Sequence, residues 1–287
     1  MDKLVVVGVG LIGGSVAAAL KRGRLVGHVV GVGRSRANMQ RALSSGVIDA
    51  IEQDLSSAAR GADLVLISVP VKQTAGVLQQ LRQCVADGVI VTDAGSTKRD
   101  FAQIAQHIFG SAAKYVVPGH PIAGAERSGA AAASAGLFSG KRVVLTPLPD
   151  TDAKAVERVA SMWRACGANV IQMSPEHHDA VFSAVSHLPH VLSYTLVEMI
   201  ASRANAQELF SFAAGGFRDF TRIAGSSPEM WRDICAANAD QLLRDIDAFQ
   251  QALSQLAGHI RAGETDKVEA AFAAAAQARN AWVSGSK

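Results

Sequence analysis

Residues 4–14 read Leu-Val-Val-Val-Gly-Val-Gly-Leu-Ile-Gly-Gly, an apolar run that breaks into Gly8-x-Gly10-x-x-Gly13 and continues as an alanine-rich helical pattern to Arg22. A strand, a tight turn and a helix start in that order constrain the fold more than any other feature. Gly8 permits the turn, Gly10 lets a backbone approach without a Cβ in the way, and Gly13 lets the helix pack against the strand. The first N–H groups of the helix, at Leu11, Ile12 and Gly13, then face outward with its positive dipole end. That geometry suits the pyrophosphate of a dinucleotide, and the flanking strand and helix give the pattern its specificity. Met1-Asp2-Lys3 ahead of apolar residues resembles a secretory leader only superficially, because glycines interrupt the apolar stretch and Asp2 weakens its positive start.

Further apolar runs at 28–32, 64–69, 89–92, 115–117 and 142–146 alternate with helical patterns at 12–22, 36–45, 72–86 and 98–109. This alternation predicts a parallel sheet covered on both faces, an α/β Rossmann-like nucleotide-binding domain. A helix over 152–166 and a short strand near 169–173 complete it. At Ser174-Pro175 the texture changes, with a capping serine followed by proline at the first helical position. Ser227-Pro228 repeats that signal. No further strand is expected, so the reading is a dinucleotide-binding domain over 1–173 and an all-α helical substrate and dimerisation domain over 174–287.

At 287 residues with 49% hydrophobic side chains the chain has ample material for two cores. No apolar run of membrane-spanning length free of glycine or charge is evident, and a membrane partner is not expected. Cys84, Cys166 and Cys235 are widely spaced and read as reduced thiols of a cytoplasmic protein. A formal charge of +3 with scattered lysine and arginine excludes the footprint of a nucleic-acid binder and suits a small anionic ligand.

The second apolar run ends Val32-Gly33-Arg34-Ser35-Arg36. An NAD-binding fold places an acidic residue there for the adenosine ribose; Gly33 occupies its place. Arg34, Ser35 and Arg36 would instead hold a 2′-phosphate through charge-assisted bonds, so NADP is favoured over NAD. Ser68, Val69 and Pro70, at the end of the run 64–69, are also read as facing the cofactor, since open α/β sheets bind ligands beyond their strand ends.

Three segments have the residues of a reactive site. Asp93-Ala-Gly-Ser96-Thr-Lys98 places hydroxyls at a helix start, with Ser96 either serving the cofactor and substrate or simply capping the helix. Gly119-His120-Pro121 fixes a histidine in extended geometry, suited to accept a hydroxyl proton. Ser186-His187-Leu-Pro189-His190 carries a proline that should disrupt its helix. His187-x-x-His190 has the form of a metal pair that Glu176, His177, His178 and Asp179 could complete, but no cysteine or spacing supports such a site, and no metal is expected. Arg218 and Arg222 lie on one helical face, where an anion would relieve their repulsion.

Together these residues resemble the prephenate/arogenate (cyclohexadienyl) dehydrogenase family of tyrosine biosynthesis. The resemblance extends through Gly216-Phe-Arg-Asp-Phe-Thr-Arg222 and Met230-Trp-Arg-Asp-Ile234. It implies NAD(P)-dependent oxidative decarboxylation of arogenate or prephenate, with a homodimer formed through the helical domain. His120 would take the ring hydroxyl proton, and Ser96 would lie near that hydroxyl and the nicotinamide. Arg222 would bind substrate carboxylate beside His190, Arg218 and His187, and Glu126 would sit near the pocket mouth. Ala125 departs from the larger or hydroxyl-bearing residue of many relatives. The alternatives are a β-hydroxyacid dehydrogenase or imine reductase, for which a catalytic lysine or aspartate is expected in place of His187-x-x-His190, and a cofactor-binding sensor without turnover.

Overall fold

A computed structural model describes residues 1–124 and 129–285. By contacts the chain divides into Met1–Ala239 and Asp240–Lys287, so helices well beyond Ser174 pack with the nucleotide-binding part.

Within the first unit a six-stranded parallel sheet runs in the order β3-β2-β1-β4-β5-β6. The strands are β1 (Lys3–Val7), β2 (His28–Val32), β3 (Ala50–Glu52), β4 (Leu64–Ile67), β5 (Ile90–Asp93) and β6 (Val116–Val117). Central strands β1 and β4 are almost wholly buried, which is why they read as continuous apolar runs rather than alternating ones. One face packs on α1 (Leu11–Arg22) and α6 (Ala153–Ala165), where Val16, Leu20, Val159 and Trp163 join the core. The other packs on α4 (Thr74–Cys84) and α5 (Arg99–Phe109), through Leu78, Leu81, Phe101 and Phe109. The strand order reverses between β1 and β4, which opens the crevice where such sheets bind ligands.

Two runs expected in this sheet lie elsewhere. Strands β8 (Arg142–Leu145) and β9 (Asn169–Gln172) pair in parallel with each other, and β8 pairs antiparallel with β7 (Gly119–Pro121), forming a separate three-stranded sheet. Their apolar character marks burial, which either sheet satisfies. The short strand β3 and the single-turn helix α3 (Leu55–Ala59), capped by Asp54, carry too little periodicity to stand out in the sequence.

Past β9, the described residues form no strand. Ser174 and Ser227 cap α7 (Pro175–Phe182) and α11 (Pro228–Ala237), each hydroxyl accepting an N–H three residues on. Between α7 and α8 (Leu188–Ala201) the helix widens into a π turn over Ser183–His187. Pro189 has no N–H to return, and the widened turn just ahead of it absorbs the misfit. The helical stretch Pro175–Ala201 has the length and composition to cross a membrane. Its first half nevertheless buries His178, Asp179, Ser183 and His187 in the protein. Helices α9 (Ala206–Ser211) and α10 (Gly215–Thr221) follow.

The second unit holds α13 (Thr265–Gly285) and all of α12 (Ala239–Arg261) but its first residue. They join at Gly263, where φ is +68°, and Glu264 accepts from His259 and Lys267 at the turn.

Candidate active site

At the first βα turn, a Cβ on Gly8 would meet the Ser68 carbonyl oxygen at 2.3 Å and one on Gly13 would meet the Gly8 carbonyl at 2.5 Å. Both positions therefore exclude any side chain. Gly10, the N-cap of α1, differs: a Cβ there would meet nothing within 4 Å. It faces open space ahead of a helix with no capping side chain and no acidic residue in its first turn. A dinucleotide pyrophosphate fits that cradle, against the N–H groups of Leu11 and Ile12. The Gly13 N–H is already engaged by Ser68 Oγ at 3.1 Å, so Ser68 braces the loop. Val69 is half-buried and Pro70 exposed beyond β4.

At the end of β2, Gly33, Arg34 and Arg36 are exposed. Ser35 caps α2 (Arg36–Ser44), its hydroxyl accepting the Asn38 N–H at 3.3 Å, a structural task the sequence reading did not assign it. The Asn38 amide also donates to the Val9 carbonyl at 2.7 Å and accepts the Ala130 N–H at 2.8 Å, holding the glycine turn in place.

His120 sits mid-strand in β7 rather than on a loop. Its strand is tied to the end of β5 by Asp93, whose Oδ1 accepts the Gly119 N–H at 2.9 Å. Asp93 Oδ2 accepts the Gly95 N–H at 2.8 Å and pairs with Lys98. This ion pair is almost completely buried, with the Lys98 ammonium 5.1 Å from the Phe101 ring centre. Ser96 lies half-buried on the same loop and does not cap α5.

The cap of α5 comes instead from eighty residues away. Asp179, on α7, accepts the Lys98 N–H at 2.8 Å and the Arg99 N–H at 3.0 Å. It also bonds its neighbour, with His178 Nδ1 at 2.7 Å from Oδ1. His178 Nε2 lies 2.8 Å from His120 Nδ1. Phe182 packs against both rings, at 4.9 Å from His120 and 4.5 Å from His178. Burial pushes His120 well below the ordinary imidazole range, and positive charge on His178, Lys98 and His187 would push it the same way. Burial also lowers His178, against the pull of Asp179. Both imidazoles are therefore neutral at neutral pH.

A buried chain of contacts runs from this cluster towards the substrate-binding residues expected from sequence. Asn238 donates to the Asp179 carbonyl at 2.8 Å and lies 3.2 Å from His187 Nδ1. His187 meets the Trp231 ring edge-on at 6.0 Å, and His190 stacks on the same indole. The His190 Nδ1–H donates to the Ser186 carbonyl at 2.8 Å, which makes Nε2 the acceptor atom of the neutral ring. Burial and the nearby Arg222 cation lower its pKa. The structure thus brings Arg222 to His190. It buries His187 against Asn238 and leaves Arg218 exposed on α10. Arg218 and Arg222 form no ion pair among the described residues. Glu126 and Ala125 lie outside the described residues.

Sequence reasoning missed His178, Asp179, Lys98, Trp231 and Asn238 as members of the site. The adjacent His178-Asp179 was visible only as half of a poor metal cluster, whose other members, Glu176 and His177, are exposed.

Residues 16–172 match the family model for the prephenate dehydrogenase nucleotide-binding domain, and residues 174–274 match that for the prephenate dehydrogenase dimerization domain. The chain is 37% identical over 269 residues to prephenate dehydrogenase of Bacillus subtilis, covering 93% of this chain and 72% of that protein. It is 35% identical over 278 residues to cyclohexadienyl dehydrogenase of Zymomonas mobilis, covering 96% and 94%. Among solved structures, prephenate dehydrogenase of A. aeolicus with hydroxyphenyl propionate and NAD+ superposes with a TM-score of 0.87 at 35% identity, covering 93% of each chain. Arogenate dehydrogenase of Synechocystis superposes with a TM-score of 0.82 at 28% identity, covering 98% and 99%. With family models matched over both parts of the chain and relatives 35–37% identical over more than nine-tenths of it, the chain belongs to the prephenate dehydrogenase family.

Proposed function

We infer that this protein is an NAD(P)-dependent dehydrogenase that oxidatively decarboxylates prephenate, arogenate or both, yielding 4-hydroxyphenylpyruvate or tyrosine in tyrosine biosynthesis. The observation that carries the reading is His120, neutral and held on β7 by the bonds behind it. Bound NAD(P) supplies the hydride acceptor for the ring carbon that bears the hydroxyl. His120 accepts the hydroxyl proton as that carbon is oxidised, and Ser96, on the loop after β5, serves that hydroxyl and the nicotinamide. The ring ketone so formed is vinylogous to the ring carboxylate. Loss of carbon dioxide then gives an aromatic phenol, which makes the reaction effectively irreversible. The chain therefore has to align the reacting groups and stabilise proton loss, which is positioning and general-base work. Arg222 and His190 hold substrate carboxylate, with Arg218 and His187 flanking them.

NADP is the cofactor we favour over NAD. Arg34 and Arg36 are exposed at the end of β2, and Gly33 offers no carboxylate to repel a 2′-phosphate. Two charge-assisted bonds at roughly 1.5–3 kcal/mol each would favour NADP by more than tenfold. Ser35, although it caps α2, keeps its hydroxyl hydrogen for donation. A homodimer through the helical part accords with the exposed Leu243, Leu253, Ile260 and Phe272 of α12 and α13, which a second copy would cover. The free Cys84, Cys166 and Cys235 accord with a cytoplasmic protein.

Initial rates for prephenate and arogenate, each with NAD and NADP, test the whole reading. Dominance of one substrate with NADP supports both assignments and names the enzyme. Preference for NAD reduces Arg34 and Arg36 to surface charges, and no turnover with any pair overturns the activity.

A further inference from the structure

Behind His120 lie groups that cannot touch a substrate. The His178 and Asp179 side chains have no solvent exposure, and Phe182 covers the contact between the two imidazoles. Their hydrogen-bond order can be followed from the main chain outward. Asp179 receives two backbone N–H groups at the positive end of α5, at 2.8 and 3.0 Å, and its carboxyl is held below the ordinary carboxylate range. An ionised carboxylate only accepts, so His178 Nδ1, 2.7 Å away, carries a hydrogen. Neutral His178 then has a bare Nε2. That atom, 2.8 Å from His120 Nδ1, accepts the His120 hydrogen and leaves His120 Nε2 with a lone pair. The free histidine side chain favours the opposite tautomer, with hydrogen on Nε2, which could not act as a base there. Each ring is fixed by the group behind it, and the first is fixed by the backbone of α5.

We propose that His178 and Asp179 are positioning residues that hold His120 as its Nδ1–H tautomer, with Nε2 aimed as acceptor for the substrate proton. When His120 gains that proton, its Nδ1–H bond to His178 shortens the reach of positive charge to the Asp179 carboxylate, which offsets it without itself taking the proton. The inference rests on His120 being the base of the reaction proposed above. It concerns a fixed tautomer, and no metal or further reactant enters it.

The test reads the tautomer directly. Long-range proton–nitrogen NMR of the full-length protein labelled with nitrogen-15 histidine, with His120 assigned by its absence in His120→Gln, should show Nδ1 protonated and Nε2 bare at neutral pH. In His178→Phe, which keeps an aromatic ring beside Phe182, that pattern should give way to the Nε2–H form or a mixture. Turnover should fall about 10- to 100-fold, with KM for the substrate and Kd for NAD(P) within about twofold. A wild-type His120 with hydrogen on Nε2 overturns the proposal even if His178→Phe fails to fold. An unchanged tautomer and kcat in a folded His178→Phe also overturn it. The spectra need no substrate, so the expected tautomer in a protein that turns over neither substrate would sink the assigned reaction and leave the relay standing.

Discussion

His190 lies flat on the indole of Trp231, the ring centres 3.6 Å apart and the planes 20° from parallel. One ring nitrogen is spent on the Ser186 carbonyl, so the stack fixes the direction of the other. The indole face also favours a protonated imidazole, which burial and Arg222 otherwise oppose. An arriving carboxylate would tip that balance. Trp231→Leu should therefore raise the substrate KM about 3- to 10-fold with kcat within twofold, and Trp231→Phe should stay close to wild type. Steady-state kinetics separates the two, and an unchanged KM in the leucine variant would remove the stack from substrate binding.

The buried Asp93–Lys98 pair is a structural counterpart. Burial opposes charge on both partners, raising the carboxyl and lowering the ammonium, while each stabilises the other. Asp93 also holds the N–H groups of Gly95 and Gly119, so it sets the position of His120. Lys98→Met leaves a carboxylate alone in the core and should cost about 3–5 kcal/mol in urea unfolding. Adding Asp93→Asn should cost less than the sum of the two single changes. Simple additivity would mean the two charges do not depend on each other.

Much of this was legible in the sequence, for identifiable reasons. Gly8 and Gly13 announce themselves because no other residue fits, and Ser174-Pro175 and Ser227-Pro228 because capping is local. The second sheet was not legible, since an apolar run reports burial and not its partner strand. Asp179 was not legible either. Capping of α5 from eighty residues away leaves no local pattern, and a His-Asp neighbour pair looks the same in a solvated helix. The contact of His187 with Asn238, 51 residues on, was equally hidden, because nothing local in the π turn announces it.

Cofactor choice turns on Gly33. A carboxylate there should shift preference towards NAD, but the structure adds a cost: a Cβ would come within 2.7 Å of the buried Met39 sulfur. That side chain is flexible enough to move, so Gly33→Asp should lose roughly 1–2 kcal/mol of stability. The specificity ratio of NADP to NAD should fall at least tenfold. Equal or better use of NADP by the variant would refute the phosphate site.

The roles of base and carboxylate clamp separate kinetically. His120→Asn should keep cofactor binding and lose roughly two to four orders of magnitude in kcat. Arg222→Gln should chiefly raise the substrate KM, because its interaction is present before and during the reaction. Near-normal turnover in the first, or an unchanged KM in the second, would remove that residue from its role.

Acid should weaken the fold through the same histidines. His120 and His178 are both below the ordinary value of 6.5 in the folded protein, chiefly from burial. As pH falls, the unfolded chain takes up these protons first. The stability the neutral rings contribute is therefore complete above 6.5 and declines as pH drops from there towards their folded values. Asp179 acts in a lower window: its pKa lies below 3.8, so its contribution is complete above that value and lost only as pH falls through the folded value. Lys98, Asp93 and His187 surround the pair, and the Lys98 cation reinforces the loss on protonation. Between pH 6 and pH 5 each histidine should add a slope of at most about 1.4 kcal/mol per pH unit. Urea unfolding of the wild type at pH 7, 6 and 5, beside His178→Phe, measures this. The variant should show a shallower decline, and equal slopes would mean that the buried imidazoles accept protons in the folded protein as readily as in the unfolded chain.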